Sequence, residues 1–264
     1  MFEQFFGFTD KPFDKGITVK NMFYSDSLKE LQKRFDYMKT YRGIMVLTGD
    51  SGAGKTTALR QLISTCSSNY FCIYLPLSTI GVSDFYRYLN NSLNGDRAYF
   101  KSDVFRSIQS RIIDLTVNKN QVPVIIFDEA HLLRTCNIQE LQIISNVKCD
   151  SFDPAIFILT GQNILLDRLS KTILNSFYQR ISMRYHLPCL SREETESYII
   201  HQFKVCNCND KILNDGAFDS VFKYSAGSIR IIGSIVTKAL INSFIRKKRT
   251  IDGDDIASII QEVF

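Results

Sequence analysis

The chain has 264 residues, 45% hydrophobic and 22% charged, enough to bury a sizeable core as one α/β domain or as a large domain plus a small one. Its net charge of +5 and pI near 8.7 are mildly basic and compatible with a nucleic-acid partner without demonstrating one. No apolar stretch approaches the roughly 20 residues that span a bilayer, and Met1-Phe2-Glu3-Gln4 has no signal-peptide pattern, so a cytoplasmic protein with no membrane partner is expected.

The stretch through Tyr24 is aromatic and irregular, with Phe5-Phe6-Gly7-Phe8, Pro12-Phe13 and Phe23-Tyr24. Ser27-Leu28-Lys29-Glu30 then offers a capping box for a helix whose apolar stripe is Leu28, Leu31, Phe35 and Met38. A strand over Ile44–Leu47 follows, then a helix through Thr57–Leu62 and a strand over Tyr70–Leu75. Next come a helix from Ser83, one around Val104–Val117, and a strand over Val122–Phe127. Helix Ile138–Val147, strand Ala155–Leu159 and the alternating edge strand Ile181–Leu187 continue the series. Such alternation predicts a parallel, doubly wound α/β sheet flanked by helices. At Pro188 the pattern changes. Ser191-Arg192-Glu193-Glu194 is a second capping box, and only helical periodicity follows, over Ala217–Tyr224, Ile229–Ile245 and Asp254–Val263. The expected domains are residues 1–188, with an N-terminal extension 1–26, and a small all-helical domain 189–264.

Two motifs carry chemistry. Gly49-Asp50-Ser51-Gly52-Ala53-Gly54-Lys55-Thr56 is a complete GxxxxGK[ST] phosphate loop between a strand and a helix, with Thr57 opening the helix beside it. About seventy residues later Asp128-Glu129 ends an apolar strand. The glycines let backbone N–H groups and a helix N-terminus meet an anion, and Lys55 supplies a mobile charge for the outer phosphates. Thr56 and Asp128 suit Mg²⁺, and Glu129 suits a base that polarises the attacking water of ATP hydrolysis.

Other residues admit two readings. Thr160-Gly161-Gln162 closes a strand beside the site and reads equally as a phosphate-facing polar group or as a turn with a helix cap. Arg180 fits an arginine finger acting on a neighbouring subunit, or a solvated salt-bridge partner. His131 reads as a hydrogen-bonding support rather than a catalytic group. Arg246-Lys247-Lys248-Arg249 suits either the end of a helix dipole or contacts to DNA phosphates. Phe23, Tyr24, Tyr37 and Tyr41 could flank an adenine, although packing is the commoner role of such residues. Seven cysteines, an odd number without paired CxxC sets and with only Cys206 and Cys208 close together, read as reduced thiols.

The order of motifs resembles the AAA+ ATPases, specifically the ExeA-like group with the helper ATPases of DDE transposases, the IstB, TniB and Mu B kind. The likeness runs from Phe5–Phe8 through Arg42-Gly43, Gly49–Thr56, Asp128–His131, Gly161-Gln162, Gln179-Arg180-Ile181 with Arg184 and Leu190–Glu194 to Gly227–Arg230. It implies that Thr160 or Gln162 senses the γ-phosphate, that Arg180 is a trans-acting finger, and that Arg230 is a second sensor in a helical lid. The implied function is ATP–Mg²⁺-dependent assembly of a ring or filament on double-stranded DNA that recruits a transposase. A secretion-assembly or remodelling ATPase without DNA is the rival reading.

Overall fold

A computed structural model describes all residues except Met1, Lys15, Leu77, Ser78, Arg97, 147–151 and Phe264. In chain order it contains α1 (Phe2–Phe6), α2 (Asp26–Tyr41), β1 (Gly43–Thr48), α3 (Lys55–Ser64), β2 (Tyr70–Leu75), α4 (Val82–Ser92) and α5 (Lys101–Ile113). It continues with β3 (Val122–Phe127), α6 (Thr135–Ser145), β4 (Ile156–Gly161), α7 (Ile164–Leu169), α8 (Asn175–Gln179) and β5 (Ile181–His186), and closes with α9 (Arg192–Val205), α10 (Asp215–Ser225), α11 (Ile229–Ile245) and α12 (Gly253–Val263).

The residues gather into two compact units, one of Glu30–Gly49 and Lys55–Leu187, the other of Met1–Lys29, Asp50–Gly54 and Pro188–Phe264. The first unit holds a five-stranded sheet in the order β2-β3-β4-β1-β5, every pair parallel. The continuous apolar run of β1 is buried at all six positions because β1 lies between β4 and β5. Among the described residues β5 pairs only with β1, and there the expected alternation appears, with Ile181 and Tyr185 buried and Ser182, Arg184 and His186 exposed. Phe85 of α4 stacks on Phe127 of β3 with centroids 5.8 Å apart, inside a core shared by α5, α6 and β4.

The second unit is helical, as the residues after Pro188 predict, with a core built from α9 to α12. Its other contributor is a correction. The sequence pattern counts 1–26 as an extension of the α/β domain, whereas the structure places Phe6 and Phe8 in the helical core. Phe8 packs on Phe203, 5.2 Å between ring centroids, and the Cys208 thiol donates to the Phe6 carbonyl at 3.3 Å. Burying an aromatic side chain stabilises by about 1.5–3 kcal/mol, and a run this aromatic goes where a partner core is available. Part of the stretch read as irregular is the short helix α1, and Val19–Asn21 forms a 3₁₀ turn.

Local boundaries differ in ways the hydrogen bonds explain. α2 is capped by Ser25, not Ser27: the Ser25 hydroxyl accepts the Leu28 N–H at 3.2 Å and its carbonyl accepts from Lys29, while Glu30 pairs with Arg34. The second box is present in full. Ser191 Oγ accepts the Glu194 N–H at 3.1 Å, and the Glu194 carboxylate accepts the Ser191 N–H at 3.0 Å. The helix expected around Val104 begins at Lys101 and passes into a π-turn at Asp114–Asn118. α6 begins at Thr135, and Val147, the expected end of that helix, lies outside the described residues. The cysteines among the described residues are free thiols.

Candidate functional site

Parallel pairing brings the carboxyl ends of β1, β3 and β4 together, since β4 lies between the other two. Ligands of open α/β sheets bind at such ends. β1 leads into the glycine loop, β3 into Asp128, and β4 ends at Thr160-Gly161. Thus three separated sequence signals meet at one edge of one sheet.

On the α/β unit, Lys55 opens α3 with its side chain buried and donates from Nζ to the Gly49 carbonyl at 2.8 Å. A Cβ on Gly49 would sit 2.6 Å from the Leu187 carbonyl oxygen, so this position admits only glycine without movement. The Thr56 hydroxyl donates to Asp128 Oδ2 at 3.1 Å across 72 residues of sequence. Asp128 is only 3% exposed; its Oδ1 accepts the Glu129 N–H at 2.9 Å, and its Oδ2 also accepts the phenol of Tyr74 at 2.6 Å. Burial, then the hydrogen bond to Asp128, then the charges of Asp128 and Glu129 raise the Tyr74 phenol well above the ordinary tyrosine range, so it remains the donor.

Glu129 has left-handed backbone, φ 53° and ψ 35°, a conformation costing about 1–2 kcal/mol for a residue with a Cβ. It lies two residues past the end of β3 and caps the 3₁₀ turn Ala130–Leu132. The Glu129 side chain is half exposed, whereas that of Asp128 beside it is buried. His131 Nδ1 lies 3.2 Å from Glu129 Oε2, at an angle that makes no hydrogen bond. The guanidinium of Arg168 on α7 donates to the carbonyls of His131 and Leu133, pinning the turn that carries Glu129. Thr160 is fully buried, and its Oγ1 has no hydrogen-bond partner among the described residues. Gln162 is exposed and its carbonyl accepts the Leu165 N–H at 2.8 Å. Of the pair, Thr160 is therefore the orphaned polar group and Gln162 the turn-former.

The remaining loop residues, Asp50–Gly54, cluster with the helical unit. Gly52 and Gly54 have φ of 83° and 97°. The carbonyl of Gly52 accepts the Arg230 N–H at 3.4 Å, and the guanidinium of Arg230 donates to Ser51 Oγ at 3.2 Å. The Ser228 hydroxyl donates to the Ser51 carbonyl at 3.5 Å. Ala53 is buried and its N–H bonds to the Asp50 carbonyl at 3.2 Å, closing the turn. Arg230, in the first turn of α11, is thus tied to the loop.

Arg180 caps α8, immediately before Ile181, which pairs with Ile44 near the start of β1. It stands at the amino end of its strand, roughly 13 Å of strand away from the end that feeds the loop. Of the four cations closing α11, Lys248 is committed internally, its Nζ 2.7 Å from Asp252 and 2.6 Å from Asp255. Arg246 lies 3.9 Å from Asp255, and the Arg249 guanidinium sits 5.3 Å from the centre of the Phe5 ring. Lys247 is exposed with left-handed backbone, φ 55°, as a helix terminator. Among the described residues, Lys247 and Arg249 are the exposed members of the four that lie outside an ion pair. Of the aromatics, Tyr37 and Tyr41 stack on each other at 4.3 Å and Phe23 packs on Tyr198, which is packing.

Neither Tyr74 nor Arg168 carries a sequence signal for the site: the place of the Tyr74 hydroxyl depends on the register of β2 on β3, and that of Arg168 on its bonds to the turn after β3.

The donor set suits a hard divalent cation: hydroxyl and carboxylate oxygens already oriented by hydrogen bonds, with no cluster of three or more His, Cys, Asp or Glu among the described residues to cage it. Mg²⁺ is held in this manner, by few protein oxygens together with phosphates and water. The orphaned Thr160 hydroxyl and the buried Lys55 ammonium suit an anionic ligand at the same edge.

The chain is 27% identical over 267 residues to General secretion pathway protein A of Aeromonas hydrophila, covering 100% of this chain and 48% of that protein. It thus spans about half of that relative's length. Similar solved structures include Cdc6p from Pyrobaculum aerophilum, with a TM-score of 0.73 at 12% identity over 96% of this chain and 70% of that one. The Aeropyrum pernix ORC1 protein in complex with DNA gives 0.64 at 13% identity over 94% and 68%. The Thermotoga maritima RuvB Holliday junction branch migration motor gives 0.59 at 19% identity over 98% and 74%. At these identities the likeness is one of fold, that of AAA+ P-loop proteins with a helical C-terminal part. Residues 38–169 match the family model of the AAA domain, and with half its length so matched, and its phosphate loop, Asp128 and Glu129 in place, the chain belongs to the AAA domain family.

Proposed function

We propose that this protein is an ATPase that binds ATP with Mg²⁺ and hydrolyses it. The observation that carries the reading is the hydrogen bond from Thr56 to Asp128, which joins the two nucleotide motifs. Lys55, the backbone of Gly49–Gly54 and the N-terminus of α3 would bind and orient the phosphates. Thr56 and Asp128 would hold Mg²⁺, which supplies charge neutralisation on the phosphates. Glu129, aimed by its left-handed backbone, would accept the proton of the attacking water, with Thr160 as the sensing hydroxyl and Arg230, tied to Ser51 and Gly52 of the loop, as a second sensor. Arg180 would act on the nucleotide of a neighbouring copy, because its place at the amino end of β5 removes it from its own loop. A ring or filament follows from that role.

For the use of this engine we propose ATP-dependent assembly on double-stranded DNA that recruits a DDE transposase, with hydrolysis dismantling the assembly. The mild positive charge supports a polyanionic partner, and one similar structure is of a protein in complex with DNA. A second reading, an ATPase serving secretion, is favoured by the identity to General secretion pathway protein A over the whole chain. Among the described residues no helix is long and apolar enough to cross a membrane.

The two readings separate on the ATPase rate with and without duplex DNA, and on ATP-dependent DNA binding. DNA-stimulated hydrolysis with sequence-independent binding supports the first. No stimulation and no binding at low salt with ATP present would leave the second. Neutralising Lys247 and Arg249 should lower the log–log salt slope of binding by about 1.8, at roughly 0.9 per phosphate contact.

A further inference from the structure

Asp128 is shared between two hydroxyl donors on one oxygen, and one of them, Tyr74, belongs to neither nucleotide motif. A carboxylate offers about four lone-pair positions. On Asp128, Oδ2 takes Thr56 and Tyr74, and Oδ1 takes the Glu129 N–H. With both acceptor positions of Oδ2 filled, the carboxylate has no freedom to rotate about its terminal torsion without breaking the shorter of its bonds, the 2.6 Å contact from the phenol. Tyr74 reaches Asp128 because β2 pairs in register with β3, Leu75 opposite Phe127, which sets Tyr74 one position back from the end of its strand. Tyr74 is two-fifths exposed and is not a member of the buried core of its unit.

We propose that Tyr74 is a positioning residue for the metal–nucleotide site: its phenol locks the orientation of the Asp128 carboxylate and so sets the affinity for Mg²⁺. This rests on the ATP–Mg²⁺ reading above. Groups that orient metal ligands through a second hydrogen bond commonly change metal affinity by about 10- to 100-fold when removed. The metal-free affinity for nucleotide, which depends on the loop and Lys55, is untouched by the phenol.

The test is Tyr74→Phe in the full chain, with binding of a fluorescent ATP analogue followed as free Mg²⁺ is raised from an EDTA-buffered start. The expected result is metal-free affinity within about twofold of wild type and a Mg²⁺ midpoint raised by about tenfold. In an Asp128→Asn background, Tyr74→Phe should move the midpoint no further, as expected for two residues acting through one carboxylate. An unchanged midpoint overturns the proposal. So does a parallel loss of affinity with and without Mg²⁺, which would be a structural effect, and so does failure of Tyr74→Phe to fold, which would make the phenol a structural group and not a positioning one. A wild-type chain without Mg²⁺-dependent nucleotide binding would instead overturn the ATP–Mg²⁺ reading itself.

Discussion

Two adjacent acids just past the carboxyl end of β3 differ in burial. Asp128 follows the last residue of β3, bonds through its N–H to the Leu75 carbonyl and is buried, held by three donors; Glu129 turns left-handed and keeps its carboxylate half exposed. A buried carboxylate oriented by three donors, with a lone-pair position left on Oδ1, suits an ion, and a half-exposed one suits a proton acceptor. Lys55→Ala should therefore abolish tight ATP binding, whereas Glu129→Gln should keep binding and lower turnover by about 100-fold or more. Equilibrium binding and single-turnover hydrolysis, measured on the same preparations, check both. Equal rates for wild type and Glu129→Gln would remove Glu129 from the mechanism. At this scale much was legible in the sequence, because the glycine loop, Lys55, Thr56 and Asp128-Glu129 are contiguous strings with one structural solution. Tyr74 was not, since an aromatic inside a run such as Tyr70–Leu75 reads as packing, and only the register of β2 on β3 reveals where its hydroxyl lies.

At the scale of elements, strands and long helices are legible where one physical pattern dominates, as in the continuous run of β1 and in α11, whose limits coincide with the expected Ile229–Ile245. Caps were read less well where chemistry is duplicated: Ser25 and Ser27 both carry the right side chain, their hydroxyls lie 2.9 Å apart, and only the N–H vectors of the first turn select Ser25. Gly227 joins α10 to α11 with φ 76°, and a Cβ there would lie 1.9 Å from the Leu190 carbonyl oxygen. Gly227→Ala should destabilise the helical unit by at least about 2 kcal/mol, read as a lowered denaturant midpoint. The end of α11 makes a pH-dependent tie to α12. The hydrogen bond from Lys248 and the backbone N–H of Asp255 depress the Asp252 carboxyl to about 2. A depressed carboxyl contributes stability that is fully present above the ordinary aspartate range and lost as pH falls through its folded value. Melting of the helical unit should therefore soften between about pH 4 and pH 2, modestly and in a salt-sensitive way because the pair is well exposed. Lys248→Met should flatten that dependence, and an identical acid profile in the two proteins would clear Lys248 of the role.

For the whole molecule, the proposed trans role of Arg180 gives a complementation test. Arg180→Ala should leave nucleotide affinity close to wild type while lowering ATP-driven assembly and hydrolysis together. Mixing it with Lys55→Ala should restore part of the activity, since a subunit with an intact finger then faces one with an intact loop. Absence of rescue in confirmed mixed assemblies would assign Arg180 another role. The division of the chain was the least legible feature, because the partners of Phe6 and Phe8 lie on helices at the far end of the sequence and no local pattern points to them. That division also governs how the protein can be cut. A fragment begun at Pro188 would carry four helices around a slot that Phe6 and Phe8 fill in the intact chain, and apolar lining such as Phe203, Cys206 and Cys208 would face water. Such a fragment should be sticky and poorly folded. A circularly permuted gene that runs from residue 188 to the end, through a flexible linker, and then from the start to Lys29 would place that aromatic plug back in the same polypeptide as its socket.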